Sequence, residues 1–353
     1  MRVQIKPGLA QAWRGPGTLQ IGLDPARGTV LDGLTDGDRR FLTALEAGLD
    51  ASPDAGVDAS VLVARGTVDA SRARTLLGLL AQTEVLARSG GGRSTAAARL
   101  GPGRAALAAD AAAWSLVHPE AGDGWELVAA RRGRTVEVVG RGRTATALVE
   151  ALRAAGVGTV REVAVPPAPR RDGLWPDVAV LVDRLAADAA ASEVFLREDV
   201  AHLSVVVQEG RTLVGPLVRG QSGPCLRCLD LHRRDRDPQW PQVLEQLVGS
   251  PRRVGGPPTG RSGGSAAAAR RELRGPEEAA SAALAGSLAA LQVLAHLDGH
   301  TVPAAVGATL EVELPDGLVS RRPWPAHPSC GCSWPPPAIR EGGAGDHGGR
   351  LEP

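Results

Sequence analysis

Aromatic residues and lysine are scarce in this chain of 353 residues. It contains no tyrosine, two phenylalanines and seven tryptophans, and Lys6 is its only lysine. Hydrophobic residues nevertheless make up 43% of the sequence. Its hydrophobic cores must therefore be built mainly from leucine, valine and alanine. At about 100–200 residues per domain, a chain of this length is expected to form two domains.

The sequence also lacks a strong charge excess, a membrane span and a secretory signal. Its formal net charge is +1, whereas nucleic-acid-binding domains carry a basic excess or a basic stripe. No run approaches the roughly 18 consecutive apolar residues of a membrane-spanning helix. No cationic segment followed by an apolar core stands at the N-terminus. These absences argue against nucleic acid and membrane partners and predict a cytoplasmic protein.

Cysteine is rare, and its four residues form two tight pairs. Cys225 and Cys228 are spaced as Cys-x-x-Cys, and Cys330 and Cys332 as Cys-x-Cys. Cytoplasmic thiols stay reduced, and four thiolates arranged as a tetrahedron are a preferred ligand set for zinc. The spacing predicts a zinc site with these four ligands. A closed four-thiolate shell has no open position, so the site would be structural and not catalytic.

Other interpretations of the cysteines remain open. A redox Cys-x-x-Cys would begin a helix and would leave Cys330 and Cys332 unexplained. The four could also be unpaired surface thiols. His232 and His327 lie near the two pairs in the sequence and could replace one ligand.

Residues 1–87 have the pattern of a small α+β domain. Two apolar runs, Thr18–Leu23 and Gly28–Leu34, flank the turn Asp24-Pro25 and predict a hairpin. Helical patterns follow, with Asp36 capping the first and Asp69 or Ser71 opening the third. Two strands followed by three helices are typical of a winged-helix module, although a generic α+β domain fits the pattern equally well.

The second half predicts an α/β domain. Residues 88–104 are rich in glycine, serine and arginine and are interpreted as a linker. Between residues 105 and 334, strands alternate with helices, which predicts a parallel sheet. The predicted strands are Val136–Val139, Val160–Val165, Val178–Val182 and Leu203–Val207. Composition predicts a mobile insert at residues 249–275 and a disordered tail at residues 335–353.

A glycine-rich turn lies between the first of these strands and a helix. Gly140, Gly142 and Ala145 match Gly-x-Gly-x-x-Ala, the dinucleotide-binding pattern. In that pattern the first glycine permits the tight turn and the second lets a phosphate approach the backbone. The alanine lets helix and strand pack closely. The sequence therefore predicts a Rossmann-like domain, and a turn kept for packing alone is the alternative to nucleotide binding.

The turn, the segment Ala155-Gly-Val-Gly158 and the two cysteine pairs together resemble the ThiF/MoeB/HesA superfamily, which is related to ubiquitin-activating enzymes. A narrower set of segments is similar to the ThiF-like proteins of azoline peptide biosynthesis: Gly215–Val218, Gly223–His232, Asp235–Pro241 and His327–Cys332. That resemblance implies an N-terminal winged-helix module that recognises a precursor leader peptide, and a homodimer. A peptide would add to the edge of Gly28–Leu34, and the groove against the third helix near Leu76 and Leu80 would select its side chains.

Active members of the superfamily adenylate a C-terminal carboxylate with ATP and magnesium. Ala164 stands where the resemblance places a ribose-binding aspartate, and no phosphate clamp is recognisable at residues 165–172. Only Asp183 could serve as the magnesium ligand and catalytic carboxylate. The resemblance thus implies a degenerate, non-adenylating scaffold that binds a peptide or protein partner, and the alternative is an active ATP-dependent adenylyltransferase.

Two other functions are less favoured. A nicotinamide oxidoreductase would need an acidic ribose ligand, which the sequence does not provide at the expected place. A DNA-binding winged helix would use Arg72 and Arg74, but Asp69 and Glu84 dilute the positive charge of that helix.

Overall fold

The computed structural model describes residues 2–25, 28–51, 57–65, 67–89, 95–164, 174–220, 223–248 and 276–332. The chain divides into two compact units, each assembled from separate stretches of sequence. Unit 1 comprises Met1–Ala164, Pro176–Val178 and Ala282–Pro303, and unit 2 comprises Val165–Trp175, Ala179–Ser281 and Ala304–Pro353. The sequence predicted a linker between two domains at residues 88–104, whereas both sides of that segment belong to unit 1. The predicted insert and tail lie outside the described residues.

The first part of unit 1 contains two antiparallel three-stranded sheets, ordered β5-β1-β6 and β2-β3-β4. Their strands are β1 (Arg2–Ile5), β2 (Gln11–Gly15), β3 (Thr18–Ile21), β4 (Thr29–Leu31), β5 (Val57–Asp58) and β6 (Leu86–Ser89). The predicted hairpin is present as β3 and β4, with Leu19 opposite Leu31. The other four strands were not predicted, and these elements do not by themselves show a winged-helix module.

Three helices accompany these sheets: α1 (Asp36–Ala51), α2 (Ala59–Ala64) and α3 (Ala70–Gln82). Asp36 is the first residue of α1 and not its cap. Thr35 and Asp38 form a reciprocal capping box, in which each side chain accepts the backbone N–H of the other residue. Asp69 caps α3 by accepting the N–H groups of Ser71 and Arg72.

One hydrophobic core joins the two sheets to these helices. Its fully buried side chains include Ile5, Ile21 and Phe41, together with Leu76 and Leu80 of α3. Both of these leucines have 0% exposure, so their side chains are not available to line the peptide groove that was predicted near them. Helical periodicity identified them correctly as apolar, but that pattern indicates the core face of a helix.

Part of the predicted linker is folded into unit 1. The helix α4 (Thr95–Arg99) precedes α5 (Ala108–Val117) and α6 (Trp125–Ala130). Ala97 and Leu100 are each 1% exposed and belong to a hydrophobic cluster with residues of α5 and α6. Apolar burial of this kind is typical of a folded element and not of a linker.

The glycine-rich turn stands in a β-α-β arrangement within unit 1. It connects β7 (Thr135–Val139) to α7 (Arg143–Ala154), which leads to β8 (Thr159–Val163). The two strands are parallel, with Val136 opposite Val160. A Cβ atom at Gly158 would collide with the carbonyl oxygen of Arg132, which explains why glycine precedes β8.

Unit 2 contains five neighbouring strands in the order β13-β12-β11-β10-β9. They are β9 (Val178–Arg184), β10 (Ala201–Gln208), β11 (Arg211–Val218), β12 (Ala308–Glu313) and β13 (Leu318–Pro323). The pairs β10–β11, β11–β12 and β12–β13 are antiparallel, so the prediction of a parallel sheet was wrong for these strands. The protein is a mixed α/β protein whose strands pair in both senses.

Four more helices lie in the described part of the chain: α8 (Ala189–Arg197), α9 (Leu226–Arg236), α10 (Trp240–Val248) and α11 (Ala279–Asp298). By length and composition α11 could cross a membrane, with a mean hydropathy of 1.5 over its apolar window, 44% of which is buried. Ala285, Ala289 and Val293 of this helix are fully buried. The same composition is expected of a core helix in a protein this rich in alanine and leucine.

Candidate metal centre

The four cysteines, far apart in sequence, meet in unit 2. Cys225 is the N-cap residue of α9 and Cys228 lies in its first turn, while Cys330 and Cys332 follow β13. The Sγ atoms of Cys225 and Cys228 are 3.9 Å apart. The Sγ–Sγ distance is 3.5 Å between Cys225 and Cys330, and 3.4 Å between Cys228 and Cys332. All four sulfurs lie within 4.8 Å of one another.

These separations match a tetrahedral metal site. A Zn–S bond of about 2.3 Å places tetrahedral sulfurs about 3.8 Å apart, whereas sulfurs in a disulfide are about 2.05 Å apart. The four cysteines are free thiols. The cluster could therefore hold a metal ion such as zinc, and the four predicted ligands are those that the structure brings together.

The sulfurs influence one another's protonation. The thiol of Cys225 donates a hydrogen bond to Cys228 and is buried, and both effects raise the pKa of Cys225. Accepting that bond lowers the pKa of Cys228 to about 4, with help from the backbone N–H of His327. Burial raises the pKa of Cys330 to about 11. Zinc would bind the sulfurs as thiolates, so its binding would release thiol protons.

The two nearby histidines are not part of the sulfur cluster. His327 Nε2 lies 2.8 Å from Asp235 Oδ2, and its Nδ1 accepts the backbone N–H of Ser329 at 3.1 Å. Both ring nitrogens of His327 are thus occupied. His232 Nε2 lies 3.0 Å from the carbonyl oxygen of Pro325. The contacts of both histidines instead stabilise the segment that carries Cys330 and Cys332.

Trp324 is a feature of this centre that the sequence analysis missed. It is 6% exposed and packs in a cluster with Cys225 and Cys228. The guanidinium groups of Arg233, Arg236 and Arg322 lie 5.9, 5.6 and 4.6 Å from its ring centroids. Two of these arginines belong to α9, so the cation–π contacts join that helix to the end of β13. No local sequence pattern pairs a tryptophan with arginines of a distant helix.

The predicted nucleotide turn has the expected local geometry in unit 1. Gly140 and Gly142 have φ angles of 124° and 136°, which side chains with a Cβ atom rarely adopt. Ala145 is 3% exposed, at the start of α7. Thr144 is 1% exposed, and its Oγ1 has no hydrogen-bond partner among the described residues. Nucleotide binding at this turn stays a prediction.

Two other positions that the sequence linked to catalysis, Ala164 and Asp183, lie among the described residues. Ala164 directly follows β8 and is exposed. Asp183 lies near the end of β9 in unit 2, and its Oδ2 accepts the backbone N–H of Asp188 at 3.2 Å. Residues 165–172, where a phosphate clamp was sought, lie outside the described residues. The role of Asp183 as a magnesium ligand stays a prediction.

Comparison with known proteins identifies fold relatives only. No family model matches the chain, and no curated protein matches it. The heterocyclase TruD matches with a TM-score of 0.58 and 16% identity, over 93% of this chain and 42% of that chain. A heterocyclase in complex with substrate and cofactor gives a TM-score of 0.55 and 17% identity, over 92% and 38%. E. coli MccB with MccA gives 0.57 and 11%, over 94% and 100%.

The chain thus spans about two fifths of the length of these heterocyclases and the whole of MccB. At such low identities the comparison establishes a shared fold. It does not transfer a substrate or an activity.

Proposed function

We propose that this chain is a ThiF-like, Rossmann-type protein that binds a linear peptide as part of a peptide-modifying system, without adenylating it. Two independent lines support this proposal. The segments around the cysteines resemble ThiF-like proteins of azoline peptide biosynthesis, and the fold is shared with two heterocyclases and with MccB, which binds the MccA peptide. A homodimer and a cytoplasmic location are further expectations of this proposal.

The peptide-binding proposal rests on the edge position of β4 in its sheet. This strand lies at the edge of the sheet β2-β3-β4, and no strand covers it among the residues that the structure describes. Leu31 is 8% exposed and faces the core, whereas Val30 is 48% exposed. An edge strand offers main-chain groups on one side, to which an extended peptide can add as a new strand.

A cavity of about 760 Å³ lies beside this edge within unit 1. Gly28 and Thr29, at the start of β4, line it together with Gln82 and Thr83, at the end of α3. Leu23 also lines the cavity and is 74% exposed. A peptide paired with β4 would have this cavity available for its side chains, in place of the groove expected at Leu76 and Leu80.

The proposal assigns the cysteine cluster a structural role. Zinc held by four thiolates would fasten the start of α9 to the loop after β13. It would leave no coordination position for a substrate. The alternative function, an ATP-dependent adenylyltransferase, would show peptide-dependent ATP–pyrophosphate exchange, which this proposal excludes.

The test selects random linear peptides against the full chain and compares two valine variants. Val30→Asp places a charge on the edge of β4, and Val319→Asp places one on β13, an edge strand of unit 2 where the valine is 43% exposed. We expect selected peptides to bind Val30→Asp at least about tenfold more weakly, a loss of about 1.4 kcal/mol. Binding to Val319→Asp should be unchanged.

Hydrogen exchange supplies the second readout. Selected peptides should protect backbone amides of Thr29–Leu31 from exchange, because strand addition gives those amides new partners. Failure to enrich any peptide, or equal binding by wild type and Val30→Asp, would remove the support for β4 as the binding edge.

A further inference from the structure

A second group of metal-binding side chains lies in unit 1, remote in sequence from the cysteines. His118, Glu120 and His300 each offer one ligand atom, and these atoms lie within 4.8 Å of one another. Glu120 Oε1 is 3.3 Å from Nδ1 of His118 and 3.1 Å from Nδ1 of His300. The two imidazole centroids are 5.0 Å apart. Two histidines thus converge on a single carboxylate oxygen.

The distances fit a shared metal ion better than two direct ion pairs. Charge-assisted N–H···O bonds are about 2.7–2.9 Å long, shorter than both contacts. Ligands about 2.0–2.2 Å from a tetrahedral zinc ion lie about 3.3–3.6 Å apart. The observed 3.3 and 3.1 Å are close to that edge length. Two imidazoles and one carboxylate are also a ligand set that zinc and related ions favour.

Surrounding contacts hold His118 in place before any ion binds. His118 is 4% exposed, follows the last residue of α5 and stacks on Trp114 with an interplanar angle of 6°. His300 lies two residues beyond Asp298, the last residue of α11. Asp298 accepts hydrogen bonds of 2.9 and 2.6 Å from the buried guanidinium of Arg131, which also lies over Trp114. One buried network therefore contacts His118 through Trp114 and holds Asp298, two residues before His300.

We propose that His118, Glu120 and His300 bind a divalent transition-metal ion such as zinc. Three protein ligands leave a fourth position for water or for an external ligand, as in zinc sites that keep an open coordination position. Glu120 also lines a cavity of about 790 Å³. This centre is therefore exchangeable and open, whereas the four-cysteine centre is closed. It does not depend on the peptide-binding proposal.

Cobalt distinguishes the two centres by spectroscopy. Co²⁺ is added to the full chain as purified, with zinc left in the cysteine cluster. We expect one equivalent of Co²⁺ to bind with visible ligand-field absorption and without a thiolate-to-cobalt charge-transfer band. His300→Ala should abolish this binding. Glu120→Gln, a change in an exposed side chain, should weaken it at least tenfold.

His296→Ala serves as the matched control, because His296 lies on α11 outside the cluster. This variant should bind Co²⁺ as the wild type does. Three results would overturn the proposal: no Co²⁺ binding by the wild type, binding seen only through a thiolate band, or undiminished binding by His300→Ala and Glu120→Gln. The first of these would identify the cluster as histidine–carboxylate ion pairs alone.

Discussion

Cys228 is the most enclosed of the four cysteines, with 0% of its surface exposed. Its sulfur accepts the hydrogen bond of Cys225 and lies 3.4 Å from Cys332, so it contacts both halves of the cluster. Replacing it by serine would remove a soft sulfur ligand and leave a hydroxyl that zinc binds poorly at neutral pH. The other three thiols would then lack a metal to hold them together.

We therefore predict that Cys228→Ser loses one zinc per chain and becomes less stable. A ligand present at about a thousandfold its dissociation constant stabilises the native state by about 4 kcal/mol, and this contribution disappears with the metal. Metal analysis and urea unfolding of wild type and variant measure the two effects. Fully folded protein purified without zinc, as stable as the wild type, would contradict the prediction.

His232→Gln is the control for the cysteine variant. His232 is close to the cluster, but its Nε2 contacts the carbonyl oxygen of Pro325. Zinc content should be unchanged by this substitution. A loss of zinc equal to that of Cys228→Ser would instead make His232 a ligand.

The residues that sequence could identify are those with short-range spacing. Cys225 and Cys228 stand three positions apart, and that spacing alone predicts a shared metal. Arg131 and Asp298, which are 1% and 2% exposed, are 167 positions apart. No local pattern joins them, because each is an ordinary charged residue until the fold buries the pair. No local pattern joins His118 and His300 either.

At the scale of elements, the start of α1 is tied to α3 through one carboxylate. The Asp38 side chain is 0% exposed, and Arg72 donates to both of its oxygens at 2.9 and 2.8 Å. The hydrogen bonds from Arg72, with those from Thr35, lower the pKa of Asp38 from 3.8 to about 2. The carboxylate is thus bound more strongly in the folded state than in the unfolded chain.

This shift predicts a specific acid sensitivity. Because the folded pKa is depressed, the stabilisation is present above pH 4 and is lost as the pH falls from about 4 to about 2. A shift of nearly two units corresponds to about 2–3 kcal/mol. Asp38→Asn should be less stable than wild type by about that amount at pH 6, and the difference should shrink below pH 4. Urea unfolding across this range measures it.

Asp36→Asn is the matched control, because Asp36 is an exposed acid in the same first turn of α1. It should leave the unfolding free energy nearly unchanged at pH 6. An equal loss in both variants would mean that helix-terminal charge, and not the contact with Arg72, determines the effect.

Elements were predictable where periodicity and turn residues agreed. The hairpin of β3 and β4 has a clear turn between two apolar runs. In contrast, β1 is only four residues long and contains the buried polar Gln4, so its alternation carries little information. The runs that form β10 and β11 are buried across most of their length. Continuous apolar runs do not distinguish parallel from antiparallel pairing.

At the scale of the whole molecule, composition did not reveal how the chain divides. Residues 88–104 have the glycine and serine content of a linker, yet Ala97 and Leu100 are buried in unit 1. Most of α11 belongs to unit 1, although this helix lies between two stretches of unit 2 in the sequence. Such an arrangement depends on long-range contacts, which a pattern read along the chain cannot supply.

The last prediction concerns catalysis by the full chain. Ala164 directly follows β8, where the superfamily resemblance places a ribose-binding carboxylate. A hydrogen bond to a charged group is worth about 1.5–3 kcal/mol, so its absence should weaken ATP by about one to two decades. The sequence has no recognisable cationic phosphate clamp at residues 165–172. Such cationic groups stabilise the transition state more than bound ATP, so their absence should reduce turnover more than affinity.

We therefore expect no ATP–pyrophosphate exchange with peptides selected on the full chain, and only weak ATP binding. E. coli MccB, whose structure with ATP is known, is the positive control for ATP binding. Ala164→Asp should strengthen ATP binding by about one to two decades if the missing carboxylate limits affinity. Weak ATP binding alone would not distinguish a scaffold from an adenylating enzyme, because Gly140 and Gly142 could hold an anion at the start of α7. Peptide-dependent exchange that disappears in Asp183→Asn would make the chain an adenylating enzyme, with Asp183 holding the magnesium ion.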